Sequence, residues 1–214
     1  MIDIWGLPHC QGCLQESRCQ YCAAPVVGRR NCSTCVSLAV NDIDLARRRF
    51  VEVASFAREV GLVSKGQNLK FELGSTLAMR AKHGSASFDD HTLGVTRSTI
   101  LVVHGKERRD VDGVAVVSGL PWPIFDGVVA HELGHVWAAR NNLMFGTIEE
   151  EGLCETIAYH WYRQRGTLGA DRLADAIEKN SDPVYGDGFR MMRKIQGQTT
   201  LKDFLGILLS RARL

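Results

Sequence analysis

The sequence predicts an α+β fold preceded by a small cysteine-rich module. Six of the seven cysteines lie between residues 10 and 35. Beyond them, segments with strand character come first along the chain and long helical segments follow, which is the order typical of α+β proteins. We therefore expect a zinc-knuckle module at residues 1–40 and a larger domain at residues 41–214.

The composition narrows the possible partners and the compartment. The chain has 214 residues, 45% of them hydrophobic, and a formal net charge of +2, which gives no reason to expect a nucleic-acid or membrane partner. No apolar run is long enough to span a bilayer. The first residues lack the basic and apolar regions of a secretory signal, so the expected compartment is the cytoplasm.

The clustered cysteines form three C-x-x-C pairs. In a reducing cytosol such pairs indicate zinc, because each presents two thiolates to one tetrahedral ion. Two pairings stay open: the first pair with the third, as in a zinc ribbon, or the second with the third, as a tighter module. His9 is either a further ligand or an ordinary loop histidine. The pairs are Cys10 and Cys13, Cys19 and Cys22, and Cys32 and Cys35.

Periodicity predicts the elements of the larger domain. A helix begins at Asn41 or Asp42 and stops at Gly61, and "NLKFEL" and "GSTLAMRAKH" form a short strand and a short helix. The β-branched runs at 98–105 and 111–119 predict a hairpin whose turn is the charged segment "KERRD". A long helix runs from about Ile124 to Asn141. A second long helix, "IEEEGLCETIAYHWYRQRG", and two or three shorter helices follow.

The first long helix carries the motif H-E-x-x-H. His131 and His135 lie one turn apart on the same face, so both imidazoles can bind one ion, and Glu132 can contact a water on that ion. A buried glutamate beside two buried histidines would be costly without a metal or a charge partner. This arrangement is typical of zinc hydrolases, which also need a third protein ligand and an open coordination position.

The second long helix offers four acids for the third position. Glu149, and with it Glu150, fits a stabilising role at the helix N-terminus. Glu151 differs because it precedes Gly152, where the missing side chain lets the helix approach a neighbour closely. Glu155 follows one turn later.

Together these motifs resemble two known groups of proteins. "HELGHVW" followed by "EEGLCE" resembles the gluzincin peptidases, whose second helix carries a glutamate ligand just before a glycine, and this resemblance implies Glu151. "RCQYC", "NCSTC", the segment from "SGLPWPIFDG" to "ETIAYHW" and "DPVYGDGFR" resemble, in that order, the plant DA-one family of LIM-associated, ubiquitin-activated metallopeptidases. The implied fold is a gluzincin-like peptidase domain with a LIM-like module, whose tighter site uses the second and third cysteine pairs.

The sequence also departs from that family. The pair that would complete a first LIM zinc site with Cys10 and Cys13 is absent, and no ubiquitin-interacting helix precedes the cysteines. Glu155 stands where the family tends to have a neutral residue. The resemblance therefore implies peptidase chemistry, whereas ubiquitin regulation and the substrates are not implied.

The expected activity is zinc-dependent hydrolysis of peptide bonds in protein substrates, as an endopeptidase. The catalytic zinc, on His131, His135 and Glu151, lowers the pKa of its water, and Glu132 takes the proton. Tyr185 is a candidate donor to the oxyanion or a tyrosine packed under a turn, and the family resemblance suggests Asp187 as an acceptor for a ligand histidine. "STILVVHG" or "VAVVSG" is expected to be the edge strand that pairs with substrate.

An alternative function is a LIM-like interaction module that recruits a protein partner beside an inactive or restrained peptidase core. Metal content separates the two hypotheses. The enzyme needs one catalytic zinc in addition to one or two structural zinc ions, whereas a pure adaptor needs only thiolate-bound zinc.

Overall fold

The computed structural model confirms a mixed α/β architecture with eight helices and two small sheets among the residues it describes. The described residues are 2–10, 17–64, 69–83, 92–103, 105–166 and 168–211.

The cysteine-rich segment folds around its own small apolar cluster. Strands β1 (Ser17–Arg18) and β2 (Pro25–Val26) pair antiparallel, and the short helix α1 (Ser33–Ser37) follows. Trp5 packs with Cys19, Cys22 and Cys35 in a cluster separate from the main core. The long helix α2 (Ile43–Glu59) begins where the Asp42 carboxylate accepts hydrogen bonds from two backbone N–H groups, as the sequence predicts for an N-cap.

The larger sheet has three strands in the order β3-β5-β4. Strand β3 (Lys70–Gly74) is parallel to β5 (Lys106–Val117), and β4 (Gly94–Val103) is antiparallel to β5; helix α3 (Thr76–His83) follows β3. The predicted hairpin is therefore confirmed, and β4 is an edge strand of this sheet.

Two details of the predicted sheet are wrong. The segment "KERRD" belongs to β5, and Gly105, whose φ of +76° suits a tight turn, lies between the strands. Arg108 and Asp110 of this segment are exposed, so their charges are tolerated within a strand. "VAVVSG" begins in the central strand β5 and cannot supply a free edge, whereas "STILVV" lies in β4.

Five helices complete the domain. Helices α4 (Trp122–Arg140) and α5 (Thr147–Arg165) are the two long ones, and α6 (Ala170–Glu178), α7 (Tyr185–Gln196) and α8 (Leu201–Arg211) follow. Helix α4 is central, since it packs against α2, β4, β5 and α5. Its apolar residues are buried on most sides, which explains the nearly unbroken hydrophobic sequence around the two histidines.

Two glycines allow α5 and α7 to cross in backbone contact. A Cβ added at Gly152 would lie 2.2 Å from the carbonyl carbon and oxygen of Gly188. The sequence predicted a close neighbour at Gly152, and the structure identifies it as the "YGDGF" segment. Glu149 accepts a hydrogen bond from the Gly146 N–H, which matches its predicted role at the helix N-terminus.

In the part of the chain that the structure describes, none of the helices is both long and apolar enough to cross a membrane.

Candidate functional site

The first candidate metal centre consists of four cysteine thiols in the N-terminal segment. Their sulfur atoms all lie within 4.8 Å of one another, and these thiols could hold a metal ion such as zinc. Three backbone or indole N–H groups point at the sulfurs: Cys32 N to Cys19, Cys35 N to Cys32, and Trp5 Nε1 to Cys35, at 3.2–3.3 Å. Such donors stabilise thiolates. The four residues are Cys19, Cys22, Cys32 and Cys35.

Electrostatics distinguish the four thiols. Burial opposes ionisation of Cys19, but backbone hydrogen bonds, above all from Cys32, lower its pKa to about 7. Burial is also the main cause that raises the pKa of Cys22, to about 12, and that of Cys35. Packing four thiols so closely is unfavourable for charged sulfurs alone, so a cation at their centre fits this donor set.

The further ligands proposed for a second structural site lie only partly within the described residues, so this site stays a prediction. Cys10 is exposed, and Cys13 lies outside the described residues. The ring of His9 contacts the buried carboxylate of Asp3, with Nε2 3.0 Å from Oδ2. The spacing of the sulfurs favours the pairing of Cys19 and Cys22 with the third cysteine pair.

Cys32→Ser is expected to unfold the module, because a structural zinc site contributes its binding energy directly to folding. Cys10→Ser is expected to have a much smaller effect. Thermal melts with and without a chelator compare the two variants. Equal damage from Cys10→Ser, together with a silent Cys19→Ser, would show that the ribbon pairing is correct.

The second candidate metal centre lies between α4 and α5. The Nε2 atom of His131 is 3.1 Å from Oε2 of Glu151, and Nε2 of His135 is 3.7 Å from the same oxygen. Neighbouring ligands of a tetrahedral zinc ion are about 3.3 Å apart, given bond lengths of about 2.0–2.1 Å. The Glu151 carboxylate thus lies beside both imidazoles at distances that suit shared binding of one zinc ion.

The other ring nitrogens contact two further acids. Nδ1 of His131 lies 3.0 Å from Oε1 of Glu155, and Nδ1 of His135 lies 2.9 Å from Oε1 of Glu150. A carboxylate at Nδ1 fixes the tautomer that leaves the Nε2 lone pair for a metal. Glu150 in turn accepts two hydrogen bonds from Arg109 of β5, at 2.8 and 2.9 Å.

Cys154 is a neighbour that the sequence interpretation left out. Its buried sulfur lies within 4.8 Å of a donor atom of each histidine. The sulfur also lies 2.8 Å from the position that a Cβ would take at Gly134, so the glycine lets this thiol sit against α4.

This centre is rich in carboxylate groups, and these groups shift the pKa values of their neighbours. Burial disfavours charged His131, but Cys154, Glu151 and Glu155 outweigh burial and raise its pKa well above the usual range. Burial likewise opposes ionisation of Glu151, but contacts with both histidines lower its pKa to about 2. The donor set therefore attracts positive charge, which a divalent cation supplies.

Arg109→Ala is expected to weaken zinc binding by about 10- to 100-fold, because Glu150 loses the partner that orients it behind His135. Arg108→Ala is the matched control, since the neighbouring side chain is exposed and points to the opposite face of β5. Competition with a zinc chelator measures both affinities. Equal affinities in the two variants would exclude this role of Arg109.

Glu132 is buried, with 5% of its surface exposed, and faces the edge strand. The Thr96 hydroxyl lies 2.7 Å from Oε2 of Glu132 and 2.9 Å from its backbone oxygen, and donates its hydrogen to this pair of acceptors. A Cβ at Gly94 would lie 2.9 Å from Oε1 of Glu132. The start of β4 is therefore in contact with the residue predicted as the general base.

Tyr185 and Asp187 lie at the start of α7 with different surroundings. Tyr185 is 42% exposed and lines a cavity with His131, and the centroids of the two rings are 6.3 Å apart. Burial, followed by the charges of Glu151 and Glu155, raises the pKa of Tyr185, so its hydroxyl stays a donor. Asp187 instead forms an exposed ion pair with Arg190, and the prediction that it supports a ligand histidine is wrong.

The fold and the two donor clusters define a mixed α/β protein with two candidate metal centres. Comparison with known proteins finds one similarity to a family: residues 88–176 match the DA1-like family model, described as Protein DA1. The resemblance noted in the sequence is therefore confirmed over this segment. Helices α4 and α5 and strand β4 lie entirely within the matched residues.

Curated relatives show the same similarity. The chain is 25% identical to Protein DA1 of Arabidopsis thaliana over 56% of its own length and 26% of that protein. It is 26% identical to Protein DA1-related 1 of the same plant, over 45% of this chain and 18% of the relative. The chain thus spans about a quarter or less of these relatives. No solved structure matches it significantly.

Proposed function

We propose that the protein is a zinc-dependent endopeptidase that hydrolyses peptide bonds in protein substrates. The observation that carries this proposal is the convergence of two imidazole Nε2 atoms and one carboxylate oxygen beside the buried Glu132. His131, His135 and Glu151 would hold the ion. Zinc at this position would polarise the scissile carbonyl and lower the pKa of a water molecule.

The side chains of the chain itself would carry the proton transfers. The Glu132 carboxylate accepts a proton from the attacking water and later delivers it to the nitrogen of the leaving amine. Thr96 fixes this carboxylate through its 2.7 Å hydrogen bond, so the base is oriented before substrate arrives. Tyr185 lines the same cavity and would donate from its hydroxyl to the oxyanion.

Strand β4 supports the binding of an extended peptide. It is an edge strand, and its first residues contact Glu132, so a peptide paired with it would pass the general base. Action on internal bonds is favoured because the two acids considered for binding a free amino terminus have other partners. Glu149 caps α5, and Glu150 binds Arg109 and His135.

Incubation of the full chain with a mixed proteome tests this function. The zinc-loaded protein is expected to generate new protein N-termini at internal sites, and mild chelation is expected to remove them until zinc is restored. An identical set of N-termini with and without zinc would contradict the proposal. New N-termini restricted to trimmed chain ends would indicate an exopeptidase instead.

A further inference from the structure

A cavity of about 600 Å³ opens beside His131 and Glu132 and continues between helices α4, α5 and α6. The part of the wall beyond these two residues is mainly aliphatic. Its apolar lining residues include Ile124, Val128, Ala158, Leu173, Ala176 and Ile177.

Helical spacing shows that the cavity is deep. Glu155, Ala158 and Tyr162 all line it and lie on one face of α5, three and four residues apart. His131, Val128 and Gly127 run along α4 in the opposite direction, so that Gly127 meets Tyr162. At 1.5 Å per residue, Tyr162 lies about 10 Å beyond Glu155, which is room for a long side chain.

Tyr162 places an unusual polar group at the far end. The residue is only 5% exposed, yet it lines the cavity. No described residue hydrogen-bonds to its hydroxyl, and the oxygen keeps some accessible surface. The hydroxyl lies against Gly127 in the wall of the cavity and is accessible from it. Burial, and then the charges of Asp126 and Glu155, raise the pKa of Tyr162, so the phenol stays neutral.

The charges around the cavity exclude one class of side chain. Among the described lining residues the ionisable side chains other than tyrosine are His131, Glu132 and Glu155, and none is lysine or arginine. An acidic side chain would find two carboxylates and no cation besides the metal centre. A purely aliphatic side chain would pack against the aliphatic walls. It would leave the Tyr162 hydroxyl without a hydrogen-bond partner, which is unfavourable in a buried site.

We propose that this cavity is the specificity pocket for a substrate residue next to the scissile bond, and that Tyr162 selects long side chains that are not acidic and carry a hydrogen-bonding tip, as in tyrosine or glutamine. The substrate role of the cavity rests on the proposed peptidase function. Its preference among side chains can be measured without cleavage. Sites built to pair with a polar group discriminate against analogues that lack it more strongly than apolar pockets discriminate by size.

The test uses small probes that mimic side chains. Binding of p-cresol and toluene to the full chain is measured by calorimetry in the wild type and in Tyr162→Phe. Because the two probes differ only by the hydroxyl, the ratio of their Kd values reports on the hydrogen bond. Tyr162→Phe is expected to shift this ratio by about tenfold toward toluene. An unchanged ratio, or failure of both probes to bind the wild type, would overturn the inference.

A matched control lies on the same helix. Tyr159→Phe removes a hydroxyl that hydrogen-bonds to Glu178 at 2.8 Å, and Tyr159 does not belong to the described cavity lining. This variant is expected to keep the wild-type probe ratio. Tyr162→Phe is expected to keep the wild-type Tm, since the lost hydroxyl has no hydrogen-bond partner among the described residues, so a changed ratio would not reflect misfolding.

Mapped cleavage sites separate this inference from the proposed function. If the wild type generates new N-termini, their flanking residues are expected to favour tyrosine or glutamine over phenylalanine or methionine, and Tyr162→Phe is expected to remove that preference. Cleavage with the same preference in both proteins would overturn the pocket assignment and leave the peptidase function intact. A shifted probe ratio without any cleavage would contradict the peptidase function and leave the pocket assignment intact.

Discussion

Glu132→Gln is expected to lower the rate of peptide hydrolysis by about 1,000-fold, since general acid–base catalysis contributes about 10²–10⁴-fold. The amide keeps the shape of the side chain and can still accept the Thr96 hydrogen bond, but it cannot take a proton from water. Tm and zinc content are therefore expected to match those of the wild type. Single-turnover cleavage of a mapped site measures the loss.

Glu149→Gln is the matched control for the general base. Glu149 also has a defined partner, the Gly146 N–H, but it caps α5 and is exposed. This variant is expected to cleave at close to the wild-type rate. If Glu132→Gln cleaved as fast as Glu149→Gln, Glu132 would not be the base, and the zinc-hydrolase mechanism would be wrong.

Gly152→Ala is expected to destabilise the fold by about 3 kcal/mol or more, because a methyl group 2.2 Å from the Gly188 backbone forces α5 and α7 apart. For a chain of this size the loss corresponds to about 10 °C in Tm. The separation would also displace the start of α7, where Tyr185 lines the cavity. Thermal unfolding of the zinc-loaded protein measures the effect.

Gly206→Ala separates this steric effect from helix propensity. Gly206 lies in the exposed part of α8, and a Cβ there meets nothing within 4 Å. Alanine is favoured over glycine in a helix by about 1 kcal/mol, so this variant is expected to be as stable as the wild type or slightly more stable. Equal Tm values for both alanine variants would contradict the close crossing of α5 and α7.

Much of this site could be predicted from sequence because its residues are close along the chain. Helical spacing brings His131 and His135 together, and the approach of two helices at Gly152 places Glu151 beside them. The N-cap at Asp42 and the hairpin followed in the same way from local rules. Local patterns are enough wherever the elements are long and strongly periodic.

The features that sequence missed depend on contacts between distant elements. Arg109 reaches Glu150 across 41 positions, and nothing in the charged run "KERRD" distinguishes it from its exposed neighbour Arg108. The run was predicted to be a turn because it is charged. Exposed strand positions also tolerate charge, so charge alone did not distinguish a strand from a turn. The orientation of Tyr162 depends on Gly127, which leaves room for its hydroxyl on α4, and no local pattern encodes that packing.

Zinc analysis of the full chain after dialysis tests the central claim most directly. Wild type, Glu151→Ala and Glu149→Ala are compared by elemental analysis of metal per chain. We expect Glu151→Ala to lose about one zinc ion per chain, because two imidazoles alone hold the ion weakly, whereas Glu149→Ala keeps the wild-type content. If Glu151→Ala retained as much zinc as the wild type, Glu151 would not be the third ligand, and Cys154, Glu150 or Glu155 would have to replace it.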